Sequence, residues 1–219
     1  MIMMSDREYM KEINSRIKEM HAMIETISDI ALQALNDDKV GVSKEICQWS
    51  YKVRDKEDEV TAGCVEALIR YQPFASDLRA VTVALKVSYY LTRVSRYLYN
   101  VTQIMDDLNT KGCESEEISS MLEEALDMVR QSLEAYFNRD ALIAAAVLKR
   151  DAGIDSRYRQ VLEKYKGVKC ATGECILFNG LIARVVERMA DHACYISNET
   201  IYLATGKRAG NRIPECDTH

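Results

Sequence analysis

Two pairs of carboxylates are the residues of this sequence whose type and spacing suit chemistry. Asp151 and Asp155 stand four apart, and so do Glu187 and Asp191. On an α-helix, residues at that spacing share a face with Cβ atoms about 5–6 Å apart, and like charges so placed cost about 0.2–0.5 kcal/mol per pair. If the helices that carry the two pairs are neighbours, four carboxylates converge and each raises its neighbours' pKa. A hard multivalent cation, Mg²⁺, Mn²⁺ or Fe, would remove that repulsion through all-oxygen ligation. The alternative is a solvated acidic face balanced by Arg150, Arg184 and Arg188. At about 100° per residue, Glu187 and Asp191 point well away from the apolar seam of their own helix, so either reading places the acids on a surface.

Little else offers chemistry. His21, His192 and His219 are scattered, no Gly-rich loop precedes a helix, and the Glu-x-x-His signature of di-iron bundles is absent. No nucleophile constellation stands out, so the sequence gives an enzyme no support. Cys170-x4-Cys175 has half the form of a metal clip, but no second pair accompanies it. The seven cysteines (Cys47, Cys64, Cys113, Cys170, Cys175, Cys194, Cys216) are an odd number, expected to be reduced thiols acting as small apolar residues. A net charge of −5 argues against a nucleic-acid partner. The longest apolar run, Ala141 to Leu148, is far short of the roughly 18 residues a membrane span needs. The start, Met1 to Asp6, lacks the apolar core of a signal peptide, so a cytoplasmic location is expected.

The elements that must position the carboxylates are long helices. Of 219 residues 47% are hydrophobic, yet there are only 9 glycines and 2 prolines, too few turn formers for a β-sandwich or a Gly-rich dinucleotide fold. Apolar residues step by three and four along Ile13, Ile17, Met20, Ile24, Ile27, Ala31 and Ala34, the seam of a helix in a bundle. A second seam runs Ile46, Val53, Val60, Cys64, Ala67, and a third Ala84, Val87, Leu91, Val94, Leu98, Val101, Met105, Leu108. Between these two, Pro73 interrupts the helix and Ser76 is placed to cap the next.

The register then recurs. An offset of 101 carries the first seam onto Ile118, Met121, Ala125, Met128, Ser132 and Ala135, and the second onto Val147, Ile154, Val161, Tyr165 and Val168. An offset of 95 carries the third onto Asn179, Ile182, Val186, Met189, Ala193, Ile196, Thr200 and Leu203. The pattern predicts an all-α chain of six long helices, a tandem duplication of a three-helix bundle. The halves are expected at 1–109 and 110–206, with a hinge near Asn109–Ser115 and a mobile, aperiodic tail at 207–219.

At these residues the sequence resembles the PhoU family of phosphate-uptake regulators. Arg70-Tyr-Gln-Pro-Phe-Ala-Ser-Asp-Leu-Arg79 is similar to the family's R-Q-P-x-A-x-D-L-R segment, with Tyr71 in place of its arginine. Glu187-Arg-Met-Ala-Asp191 resembles E-R-I-x-D, and Asp151-Ala-Gly-Ile-Asp155 resembles D-x-x-I/V-D. The resemblance runs from about Ser15 to Gly206 and implies two tandem three-helix bundles. It also implies a cytosolic negative regulator, an adaptor between a phosphate ABC transporter (its ATPase subunit) and a sensor histidine kinase, with room for a homodimer. Regulation of a potassium or low-affinity phosphate transporter is the alternative, and a metal-dependent enzyme a more distant one. The family's motifs bind metal at the bundle surfaces, which adds to the cation reading of Asp151, Asp155, Glu187 and Asp191. Asp77, Arg79, Arg93 and Arg188 are the candidate partner-contact or structural residues. For Asp77 and Arg79 the structural version is a helix-start cap and an intrahelical ion pair.

The first repeat departs from that pattern. The positions matching the family's carboxylates fall on Ser50, Arg54, Thr92 and Arg96, at the same offsets of 101 and 95 from the second-repeat acids. Two hydroxyls and two fixed positive charges cannot hold a cation, so metal is expected in the second repeat only. The arginines suit a carboxylate, a phosphate or a partner's acidic face, or are ordinary surface arginines. Asp55, Glu57, Asp58 and Glu59 are off register and read as a solvated charge run.

Overall fold

The structure, a computed structural model, describes residues 8–37, 39–108, 113, 116–165 and 173–208. They form six α-helices: α1 (Glu8–Asn36), α2 (Ser43–Tyr71), α3 (Ser76–Asp107), α4 (Glu116–Asn138), α5 (Ala141–Tyr165) and α6 (Gly173–Thr205). No strand occurs among the described residues. Helices α1, α2 and α3 pack on one another, as do α4, α5 and α6, which is the duplicated unit the repeat predicts.

The seams are the cores. Every seam residue of the first three helices is buried except Leu108, which is half-buried. In the second half Ile118 through Ala135, Val147, Ile154, Val161 and the whole run Asn179 to Leu203 are buried. Tyr165 is half-buried, and Val168 lies outside the described residues.

Local chemistry sets the helix ends. Gly41 turns the chain at φ +89°, a conformation that favours glycine, between α1 and α2. The carboxylate of Asp106, at the end of α3, accepts the backbone N–H groups of Gly41 and Ser43, so one bundle helix caps another. Asp140 accepts the N–H groups of Leu142 (2.7 Å) and Ile143 (3.1 Å), an N-cap for α5. Pro73 does end the second helix, with Gln72 and Ala75 at positive φ on either side. Ser76 is not the cap expected of it: Ala75 holds that position, and Ser76 is already helical, with its hydroxyl on Asp77 Oδ1 (3.4 Å).

The two bundles join along α3–α6 and α1–α4. On the first seam Lys86 Nζ meets the buried carboxylate of Glu199 at 2.6 Å. Beside it the His192 ring contacts those of Tyr90, Tyr97 and Tyr195, with centroids 5.2–5.7 Å apart. On the second, the buried Tyr136 hydroxyl donates to Asn14 Oδ1 (2.8 Å), and Ser119 donates to Asn36.

The cysteines differ from the expectation of thiols throughout. Cys113, in the link between the halves, is disulfide-bonded to Cys175 in the first turn of α6, 62 residues away. A pair that far apart has no signature in local spacing. Cys47, Cys64 and Cys194 are thiols. Buried Cys64, whose thiol donates to the Val81 carbonyl (3.7 Å) and is pushed up to about 12 by burial, is the small apolar residue foreseen. Cys170 and Cys216 lie outside the described residues, as do the tail beyond Arg208, His219, and all of the expected hinge except Cys113. Cross-linking a loop of 62 residues stabilises the fold by up to roughly 4 kcal/mol through the unfolded chain. Reduction, or Cys113→Ser, is therefore expected to lower the melting temperature by several degrees; an unchanged circular-dichroism melt would show that the bond carries no stability.

Candidate functional site

The second-bundle acids meet across α5 and α6. Asp151 and Asp155 rise from α5, Glu187 and Asp191 from α6, and all four are half-buried. Burial is greater than the helical wheel suggests because α6 packs on α3, α4 and α5 at once, so residues off its main seam face another helix instead of water. Desolvation, chiefly, pushes the Asp191 carboxyl up to about 6, and the charges of Glu187, Asp151 and Asp155 add to it. Burial likewise raises Asp151 and Glu187, with Asp155 adding to both.

Neutralisation is sparse. Arg184 reaches Glu187 Oε1 at 2.7 Å. Arg150 turns away to Asp127 on α4 (2.6 Å), and Arg188 is exposed without an ion pair among the described residues. The balanced acidic face is therefore only partly built. Glu187 Oε2 is buried with no hydrogen-bond partner, an oxygen whose lone pairs are directed at nothing. Among the described residues no three acid, thiol or imidazole groups already converge as a ligand set.

The equivalent groove of the first bundle lies between α2 and α3. Ser50 and Thr92 are buried, Arg54 is exposed, and Arg93 and Arg96 are half-buried around a cavity of about 390 Å³. Glu57 and Asp58 also line it, so they are not a purely solvated run. The guanidiniums of Arg93 and Arg96 lie over the rings of Tyr97 (5.4 Å) and Tyr99 (4.8 Å).

Both halves match one family model, the PhoU domain, at residues 17–105 and 118–200. The chain belongs to the PhoU family. It is 26% identical over 212 residues to a "phosphate-specific transport system accessory protein PhoU homolog" of Synechocystis sp., covering 93% of this chain and 94% of that protein. A relative of the same description from Rhizobium meliloti is 24% identical and covers 99% of this chain and 94% of that protein. The crystal structure of PhoU from Pseudomonas aeruginosa superposes with a TM-score of 0.82 at 26% identity, covering 93% of this chain and 100% of that one. The Streptococcus pneumoniae phosphate transport system regulatory protein PhoU gives 0.86 at 19% identity over 93% and 99%, a likeness of fold.

Within this PhoU fold the Gln72-Pro73 segment forms the α2–α3 turn. Asp77 and Arg79 there do not form the expected ion pair. Asp77 is half-exposed at the start of α3, while Arg79 Nε is buried without a hydrogen-bond partner. The Arg79 guanidinium lies beside Gly206, 3.5–3.7 Å from where a Cβ there would stand, and Gly206 holds φ +72° just after α6. Arg79 is thus a packing residue between the bundles.

Sequence reasoning missed Cys194. Its buried thiol stands against the Asp151 carboxylate, and burial with that neighbouring charge pushes the thiol up, so the acid groove has a fifth polar member. Cys194 stands seven residues after Glu187 and three after Asp191, a heptad position that puts it on their face. Lys86 and Glu199 were missed too. They lie 113 residues apart with no motif to join them.

The raised carboxyls make a signed prediction. Unfolded, Asp191 loses its proton near 3.8; folded, near 6. Between those values the native state holds the proton that the unfolded chain has lost, so stability falls as pH rises through this window. Metal-free Asp191→Asn is expected to melt higher than the parent above about pH 7 and to match it near pH 4. A constant difference at both would show that Asp191 titrates normally.

Proposed function

We propose that the chain is a regulator of phosphate uptake, acting as an adaptor between a phosphate transport system and the signalling that answers it. The observation that carries this is the match of both repeats to the PhoU domain, over nearly the full length of relatives described as phosphate transport accessory proteins. The described helices support it physically, since none is long and apolar enough to cross a membrane and a partner must therefore be met by surface contact. The α2–α3 turn is the contact surface we propose. Phe74 is 87% exposed and Ile69 70%, an apolar pair beside the half-exposed Asp77. Aromatic anchors with adjacent charge are what a binding surface uses for affinity and selection. The partners proposed are the transporter's ATPase subunit and a sensor histidine kinase.

The acid groove is proposed to hold a hard divalent or trivalent cation, Mg²⁺, Mn²⁺ or Fe. The donor set fits: four carboxyls, one with a buried unpartnered oxygen, three of them raised by burial first and by one another's charge in addition. Bound there, the ion would supply positive charge and nothing redox is required of it. Asp151 and Asp155 would hold it from α5, Glu187 and Asp191 from α6, so that the carboxylates hold the two helices together instead of pushing them apart. Arg184 would release Glu187 as the cation takes over its charge. No equivalent exists at Ser50, Arg54, Thr92 and Arg96, where the arginines repel a cation.

Deleting the gene is expected to leave phosphate uptake unrestrained in phosphate-rich medium. Reintroduced Asp77→Ala should fail to restore restraint, and fail to capture the transporter subunit, with an unchanged melting temperature. Uptake and starvation-gene expression identical to the parent would sink the function. Elemental analysis after reconstitution should find stoichiometric metal that Glu187→Ala/Asp191→Ala loses and Arg54→Ala keeps; metal surviving the loss of both acids would refute the cation site.

A further inference from the structure

We propose that the groove between α2 and α3 binds an oxyanion of the phosphate class, free or at the end of a small ester, at Arg54, Arg93 and Arg96. Three arginines line one cavity of about 390 Å³, and none of them makes an ion pair among the described residues. The parallel with the acid groove is close in position and opposite in sign. Arg54 stands where the second repeat has Asp155, Arg96 where it has Asp191, and Asp58 where it has Arg159. Unpaired like charges gathered in one groove repel, and a multivalent counter-ion relieves them; here that counter-ion must be an anion.

The floor decides which groups can donate. Ser95 gives its proton to the Thr92 carbonyl at 2.8 Å, so Ser50 donates to Ser95 Oγ at 3.1 Å. Thr92 donates to the Ser88 carbonyl at 3.3 Å. Both floor hydroxyls are committed, Ser50 across to Ser95 of α3 and Thr92 within its own helix, which leaves the guanidinium N–H groups as the charged donors. Their fork geometry matches the oxygen pairs of a phosphate, and cation–π contacts with Tyr97 and Tyr99 restrain Arg93 and Arg96.

The two acids of the lining do not cancel this. The Ser50–Ser95 contact sets the antiparallel register of α2 on α3, which puts Arg54 beside Thr92. Glu57 and Asp58 fall about a turn further along α2, toward Tyr89, and neither pairs with Arg54. They repel an anion from that end and confine it to the arginines. A dianion gains more from three guanidiniums than a single carboxylate does. At the rim Tyr51 is 58% exposed and Tyr89 50%, apolar surface available to the organic part of an ester. The site does not depend on the cation proposed for α5 and α6.

The test is calorimetric titration of the purified full chain at low ionic strength, with a chelator present, using inorganic phosphate, glycerol 3-phosphate and a poly-glutamate peptide. Phosphate is expected to bind, and Arg54→Met and Arg96→Met each to weaken it by about tenfold or more. Exposed Arg54 is the variant least able to disturb folding, and a circular-dichroism melt confirms each variant is intact. Omitting the chelator should leave binding unchanged, and added KCl should weaken it. Equal affinity for phosphate and its ester would assign the free ion; a tighter ester that loses its advantage in Tyr51→Ala would assign the ester. The proposal fails if phosphate gives no heat at millimolar concentration, or if binding survives Arg54→Met/Arg96→Met. It fails equally if binding appears only when the chelator is omitted, which would place the anion on a cation. Poly-glutamate binding through the arginines without phosphate binding would also overturn it, in favour of an acidic protein surface.

Discussion

The packing of α6 against three other helices constrains everything else in the molecule. A helix with one neighbour buries one stripe, but α6 faces α4 and α5 in its own bundle and α3 in the other. Small side chains permit this: Ala183, Ala190, Ala193 and Ser197 are fully buried along it and let neighbouring backbones approach. The arc left for polar residues is narrow, and what stands on it is flanked by α5. The carboxylates of Glu187 and Asp191 therefore lose water without gaining enough partners, which is the physical origin of their raised pKa values. Helix α3 is in the same position, packed on α1, α2 and α6, and its polar arc carries Thr92 and Arg96. The two grooves are consequences of one arrangement repeated.

Scaffold and site separate along that arrangement. Most seam positions keep their apolar character from one repeat to the other, with Ser132, Asn179 and Thr200 the buried polar exceptions, because each must fill a dense core. Groove positions lie at the edge of the core, where charge can change sign at modest cost. Thus Arg54 and Asp155, or Arg96 and Asp191, occupy matching positions while Val53 and Ile154 beside them are both fully buried. Duplication supplied two equal grooves, and the edge residues made one acidic and the other basic.

What the sequence disclosed follows from the same distinction. The seams were legible because helix burial is periodic, and the offsets of 101 and 95 carry that period through both halves. The acid pairs were legible because i and i+4 share a face. Their burial was not, since a helical wheel knows one seam and α6 has three neighbours. The Cys113–Cys175 bond and the Lys86–Glu199 pair join residues 62 and 113 apart, which only the docked structure brings together. Ser76 was misplaced by one residue, because Gln72 and Ala75 take positive φ and Pro73 alone does not reveal where the turn ends. PhoU-like motifs singled out the acid pairs; packing determined their electrostatics.

The opposite signs also give the grooves different responses to conditions. Carboxyls raised toward neutrality can be discharged by protons, so the repulsion between α5 and α6 fades as pH falls through about 6. Guanidiniums stay charged across the whole working range, so the α2–α3 groove keeps its field wherever the protein is folded. The two are not isolated mechanically. Along α6, Asp191 and Cys194 face the acid groove while His192 and Tyr195 meet Tyr90 of α3. One turn of one helix is therefore a wall of both the acid groove and the seam between bundles. A change of charge on its α5 side acts on residues covalently continuous with those that hold α3. Arg93 and Arg96 stand on the same α3 as Tyr90, so the packed α3–α6 interface adjoins both grooves.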